Sequence, residues 1–135
     1  MLISTKGRYA IKVMVDLAEH YGQGYISLQD IANRQEISEK YLENIIRSLV
    51  AENLLEGQRG KGGGYKLTKS PDEYTVGTIL RLTEGSLSPV SCLTESGQCE
   101  KYENCNSIKI WQEADRIINE YFDSVNLTAM MDKPQ

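Results

Sequence analysis

The sequence predicts a mainly α-helical fold with one small β-hairpin, an α+β class, and three observations carry that prediction. Apolar residues recur at three- and four-residue steps in five separate segments. Two short strand-like runs flank the glycine-rich stretch Gly60-Lys61-Gly62-Gly63-Gly64. Thr5, Ser27 and Ser38 stand where a hydroxyl can cap the first turn of a helix. With 135 residues, 40% of them hydrophobic, the chain can bury one core but hardly two, so one compact domain with an appendage is expected.

The elements follow in order. A first helix runs from Thr5 to about Tyr21, with Ala10, Val13, Met14, Leu17, Ala18 and Tyr21 on one face, and Gly22 and Gly24 end it. Ser27-Leu28-Gln29-Asp30 resembles a capping box and opens a short helix to about Gln35, with Leu28, Ile31 and Ala32 facing inward. Ser38 caps a third helix whose apolar face is Leu42, Ile45, Ile46, Leu49 and Val50. Two short helices joined so tightly suggest a helix-turn-helix. Leu54 to Arg59 and Tyr65 to Thr68 then form a hairpin with a flexible, cationic tip. A phosphate-binding loop is the rival reading of those glycines, but the segment lacks the G-x-x-x-x-G-K-[ST] order and opens no helix.

Beyond the hairpin, Ser70-Pro71-Asp72 breaks the strand and Thr75 to Glu84 forms a fourth helix, with Val76, Ile79, Leu80 and Thr83 toward the core and Gly85 at its end. Ser86 to about Cys105 is polar and irregular, reads as a loop, and holds all three cysteines. From about Ser107 a long helix presents Trp111, Ala114, Ile118, Tyr121 and Val125, a stripe widened by Ile117 and Phe122. Such a face on a terminal helix is expected to meet a second copy of the chain. The organisation expected is thus residues 1–85 as the helix-turn-helix and hairpin domain, 86–106 as a cysteine-bearing sensor loop, and 107–135 as a dimerisation helix and tail.

Charge divides along the chain. Residues 1–69 carry 10 Lys and Arg against 8 Asp and Glu, a balance of +2, whereas residues 70–135 carry 5 against 11, a balance of −6. A net charge of −4 therefore leaves room for a basic surface on the first half. No apolar run is long enough to cross a bilayer, and the opening Met1-Leu2-Ile3-Ser4-Thr5-Lys6 lacks the apolar stretch of a secretory signal, so a cytoplasmic protein with no membrane partner is expected. Three cysteines in such a chain argue for metal, cluster or redox chemistry over a disulfide framework. An enzyme is not expected: with His20 as the single histidine, no Ser/His/Asp or Cys/His set is available.

Three segments stand out together: Ser4-Thr5-Lys6-Gly7-Arg8-Tyr9-Ala10 at the start, Ile37-Ser38-Glu39-Lys40-Tyr41-Leu42-Glu43 at the third helix, and Arg59-Gly60-Lys61-Gly62-Gly63-Gly64-Tyr65 at the hairpin. With them the chain resembles the IscR-like winged-helix regulators, the iron–sulfur cluster regulator family that includes the nitric-oxide-sensing NsrR and cysteine-metabolism CymR branches. The resemblance covers nearly the whole chain. It implies a winged helix-turn-helix domain with a long dimerisation helix, and a homodimer that binds a roughly palindromic double-stranded DNA operator as a transcription regulator, a repressor. Ser38, Lys40, Tyr41, Glu43 and Asn44 would then enter the major groove. Asn44 can pair with adenine, and Glu43 can accept from cytosine and repel a misplaced phosphate. Arg59, Gly60 and Lys61 at the wing would reach the minor groove or its phosphates.

The resemblance also bears on the cysteines. Cys92, Cys99 and Cys105 form C-x6-C-x5-C, and a similar loop in the family holds an iron–sulfur cluster, [2Fe–2S] or [4Fe–4S]. The fourth ligand departs from the family patterns. One branch has a histidine three residues after the last cysteine, where this chain has Ile108; another uses a carboxylate at the position of Arg8. Glu100, Glu103, a serine, water, a small thiol or a group of the other subunit remain open as the fourth ligand, and zinc or a thiol redox switch remains open for the loop. Lying between the DNA-binding domain and the dimer helix, the loop could alter the spacing of the two reading heads as its cluster comes and goes. The alternative function is a CymR-like repressor controlled by a partner enzyme of cysteine synthesis, without a cluster.

Overall fold

The computed structural model describes residues 2–93 and 105–131. Five α-helices and one hairpin occur among them: α1 (Thr5–Glu19), α2 (Leu28–Gln35), α3 (Glu39–Ala51), β1 (Leu55–Gln58), β2 (Gly64–Leu67), α4 (Val76–Glu84) and α5 (Ile108–Ser124). The fold is the mainly helical one expected, with an antiparallel two-stranded sheet pairing Leu55 with Leu67 and Gln58 with Gly64.

Hydroxyl caps start α1 to α4 by accepting a backbone N–H that the helix itself leaves unpaired, whereas Ser107 ahead of α5 makes no such bond. Ser27 accepts from Asp30, Ser38 from Tyr41 and Thr75 from Thr78. The first helix is the exception to the expected caps. Ser4, not Thr5, caps it by accepting from Gly7, and Thr5 is its first helical residue. Its end also comes early: α1 stops at Glu19, leaving Tyr21 in the following turn and exposed rather than on the core face.

The main core is made where α1, α2, α3 and the hairpin converge. Ala10, Val13 and Met14 of α1, Ile31 of α2, and Leu42, Ile45 and Leu49 of α3 are fully buried there, with Leu55 and Leu67 contributed by the strands. Leu127, in a short 3₁₀ turn after α5, is also fully buried in this core. The last described residues thus return to the first helix. A second cluster, Val76, Leu80 and Leu87, packs against Ile118, Phe122 and Val125 and joins α4 to α5. Leu87, read from sequence as part of the loop, is one of its buried members.

Two local features set the helix-turn-helix and the hairpin. Glu36 closes α2 in the left-handed conformation at φ 55°, so the chain reverses in one residue before Ile37 buries and Ser38 caps α3. Ile26, ahead of α2, exchanges two backbone hydrogen bonds with Tyr65 of β2, at 2.9 and 2.8 Å. That close approach requires Gly64, where φ is +148° and an added Cβ would lie 2.1 Å from the Ile26 carbonyl oxygen.

Candidate DNA interface and cysteine segment

The cap of Ser38 directs the first turns of α3 outward. Its hydroxyl is occupied by the Tyr41 N–H at 3.2 Å, yet the residue stays exposed, as do Lys40, Glu43 and Asn44. Tyr41 is half-buried because its ring packs edge-on against Tyr9 of α1, with centroids 5.8 Å apart and planes at 85°. Those five residues and Arg47 line one shallow depression of about 510 Å³. Arg47 was not among the residues singled out from sequence. It lies one turn beyond Glu43, with Nη2 3.7 Å from Oε1 of that carboxylate, and both side chains are exposed. The signal was present as an i, i+4 acid–base pair, but a pair on an exposed face is ordinary and carries little stability.

The hairpin tip lies along the same surface. Arg59, Gly60 and Lys61 are exposed, and the Gly63 N–H donates to the Gly60 carbonyl at 3.0 Å to close the turn. Glu43 and Arg47 also line an adjoining depression that reaches Val50 and Tyr65. Val50 and Tyr65 in turn line a third, which reaches Arg59 and Gly60. A trough of adjoining depressions therefore runs from the start of α3 to the wing; Lys40, Arg47 and Arg59 line it as exposed cations, and Lys61 is exposed at the hairpin tip.

The root of the hairpin is held by Tyr74, which is buried and was not singled out from sequence. Its hydroxyl donates to the Leu54 carbonyl at 2.8 Å and accepts from the backbone N–H groups of Thr68 and Lys69 at 2.9 and 3.0 Å. One side chain thus satisfies both ends of the two-stranded ribbon. Asp16 plays the equivalent part for the helices. Only 2% exposed, it accepts from Arg34 Nε and Nη2 at 2.9 and 2.7 Å and from Gln35 Nε2 at 2.8 Å, tying α1 to the end of α2. The Asp16 carboxylate in turn holds the Arg34 guanidinium above its ordinary pKa.

Of the three cysteines, Cys99 lies outside the described residues, as do Glu100 and Glu103, and Cys92 is placed by backbone alone within the 3₁₀ turn Ser91–Leu93. Cys105 is half-buried, with its sulfur 3.3 Å from Ser107 Oγ. Trp111 Nε1 donates to that same oxygen at 3.2 Å, which leaves the Ser107 proton free to point at sulfur. The Ser107 hydroxyl, aided by the backbone N–H groups of Ser107 and Ile108, holds the thiol below its ordinary pKa, and thiolate is the form that binds metal or attacks a disulfide. Ser107 was read from sequence only as a helix start. Neither family position for a further ligand offers one here: Ile108 is apolar, and Arg8, exposed on α1, donates to Thr5 Oγ1.

The expected dimer stripe divides between two directions. Ile118 and Val125 are half-buried against α4, and Ala114 is half-buried, whereas Trp111 and Tyr121 are exposed. Ile110 and Ile117 join Tyr121 on the open side, 64%, 52% and 63% exposed in that order. Those three residues fall at i, i+7 and i+11, one ridge of the helix. No helix among the described residues is long and apolar enough to cross a membrane.

Residues 3–133 match the Rrf2 family, described as iron-dependent transcriptional regulators. The chain is 34% identical over 131 residues to the HTH-type transcriptional regulator IscR of Aliivibrio salmonicida, covering 97% of this chain and 77% of that protein. It is 37% identical over 127 residues to the HTH-type transcriptional regulator CymR of Bacillus subtilis, covering 94% of this chain and 87% of that protein. The solved structure of CymR, the global cysteine regulator of B. subtilis, aligns with a TM-score of 0.76 at 37% identity over 96% of this chain and 95% of that one. T. potens IscR aligns with a TM-score of 0.75 at 35% identity over 96% and 85%. With that sequence match and that winged-helix architecture, the chain belongs to the Rrf2 family of transcriptional regulators and is not an enzyme.

Proposed function

We propose that this regulator is a homodimeric repressor that reads a roughly palindromic DNA operator, and that its three-cysteine segment switches operator affinity. The observation that carries the DNA reading is the trough shared by α3 and the wing. It aligns two features that recognise different parts of a duplex: a helix start with Lys40, Glu43 and Asn44 exposed, and a cationic tip with Arg59 and Lys61. Asn44 reads adenine in the major groove, Glu43 filters for cytosine while Arg47 restrains it, and Arg59 enters the minor groove or meets its phosphates. The second copy packs on the open ridge of α5, since Ile110, Ile117 and Tyr121 leave an apolar face that no described residue covers.

Three cysteine thiolates are the soft donors that an iron–sulfur cluster takes, and that donor chemistry supports the cluster reading. Cys92, Cys99 and Cys105 would hold it, and when bound it supplies a centre sensitive to iron, oxygen and nitric oxide. The same thiolate character serves zinc or a reversible thiol switch, and near-equal identity to IscR and CymR proteins keeps that second reading in play. In it, a colourless protein answers to thiol chemistry or to a partner enzyme of cysteine synthesis.

The test is operator binding by protein purified without oxygen, using a duplex that the wild type selects from a random pool. Arg59→Ala should weaken binding about tenfold or more, and Asn44→Ala should relax preference at an adenine, each by the roughly 1–3 kcal/mol of one good contact. Unchanged affinity in Arg59→Ala at physiological salt would remove the wing from the interface. Brown protein whose operator affinity differs from that of Cys99→Ala supports the cluster switch, whereas equal affinities contradict switching by the segment.

A further inference from the structure

Arg81 of α4 makes a forked contact to α5 that neither the core nor the DNA surface needs. Its Nη1 and Nη2 donate to the two carboxylate oxygens of Asp123 at 2.9 and 2.8 Å, and Nε and Nη2 donate to Asn119 Oδ1 at 3.2 and 2.7 Å. Asn119 is itself oriented, because its Nδ2 donates to the carbonyl and carboxylate of Asp115 at 2.8 and 3.1 Å. The carboxylate holds the Arg81 guanidinium up, and Arg81 holds the Asp123 carboxyl below its usual range, so the fork is ionised at neutral pH.

Space around the fork is as specific as its bonding. Gly77 lies beneath it, and a Cβ there would stand 2.1 Å from Asp123 Oδ1 and 3.1 Å from Arg81 Nη1. The atom in the way is the end of a side chain, so a methyl group would displace the carboxylate from Arg81 before it disturbed backbone. The junction is closed again at the end of α5, where Val76 N–H donates to the Val125 carbonyl at 2.8 Å and Leu127 N–H to the Tyr74 carbonyl at 3.1 Å.

Asp123 is exposed and Arg81 only half-buried, so the contribution of the ion pair to stability is small. Its value is angular, because a planar guanidinium bound to three oxygens on two turns of α5 fixes the direction of that helix. From the fork to the start of α5 is about 20 Å, so a rotation of roughly 10° moves the far end by about 3.5 Å, one base-pair step.

We propose that Arg81, seated over Gly77, is the positioning residue that makes α5 a fixed extension of the reading head, so that the α4–α5 contact sets the half-site spacing the dimer accepts. This rests on the reading of α5 as the dimer helix. It places spacing outside the cysteine segment, whose chemistry then acts on the dimer face or on the segment itself.

The test uses the full chain as purified without oxygen and the duplex selected by the wild type, with zero, one or two base pairs inserted between half-sites. For wild type, one inserted pair should cost about tenfold in affinity, the order of one lost base contact. Arg81→Ala and, independently, Gly77→Ala should each reduce that penalty below about threefold while binding a single half-site as wild type does and sedimenting as dimers. Should Arg81→Ala fail to fold, Gly77→Ala, which removes no polar group, decides the matter. A folded, dimeric variant that keeps the tenfold penalty overturns the proposal, as does loss of the dimer in both variants. Failure of the underlying reading is distinct: wild type would then select no paired half-sites or bind as a monomer.

Discussion

Asp16 illustrates how much of the reading head depends on a single buried charge. Arg34 meets the carboxylate with two donors and Gln35 with one, so the end of α2 is registered against α1 before Glu36 turns the chain toward α3. Replacing Arg34 by Ala leaves Asp16 buried with its main partner gone. We expect a loss of roughly 3 kcal/mol in denaturant unfolding, toward the lower end for a broken buried pair because Arg34 itself is partly exposed. A change under about 0.5 kcal/mol would mean that the pair is only decorative. The sequence showed Asp16 as one polar residue on an amphipathic helix, and nothing in the spacing separates a buried acid from a solvated one when its partner is eighteen residues away. Glu36 was illegible for a similar reason. A left-handed glutamate has no compositional sign, whereas glycine at that place would have announced the turn.

At the scale of elements, α1 to α4 were readable because each couples a hydroxyl near its start to a periodic apolar face, and α5 from its apolar face alone, signals that lie within a few neighbouring residues. Ser27 and Ser38 cap as their positions imply, and Thr75, read only as the start of its helix, caps as well. The wing was readable as a hairpin, but its anchoring was not, since Tyr74 and Ile26 reach it from outside the hairpin. Tyr74→Phe should cost about 1–3 kcal/mol, because it leaves a buried carbonyl and two backbone N–H groups without that partner. The accompanying sign is faster hydrogen exchange at Thr68 and Lys69, with the helical amides of α1 unchanged. Equal exchange in both proteins would show that the hydroxyl does not hold the root. For α5, the periodicity was read correctly as an apolar stripe. Which part faces α4 depends on Arg81, Gly77 and Asp123, contacts between elements about forty residues apart.

For the molecule as a whole, the partition of charge matters more than its sum. A chain of net −4 carries the trough cations Lys40, Arg47 and Arg59, and Lys61 of the hairpin tip, entirely in the half with a positive balance. The core joins distant segments as well, since Leu127 is buried in one cluster with residues of α1 and the second cluster couples α4 to α5. Two copies joined along α5 would therefore present two reading heads, and a head on each half-site implies a site of two parts about 34–36 Å apart. The most direct measurement is a hydroxyl-radical footprint of wild-type protein on the duplex it selects from a random pool, repeated over a series of salt concentrations. Two protected patches on one face of the duplex, centred about one helical turn apart and fading together as salt rises, are the expected result. A single patch, or protection that shows no sequence preference at any salt concentration, would contradict the assignment of α3 and the wing as the DNA-reading surface of a dimer.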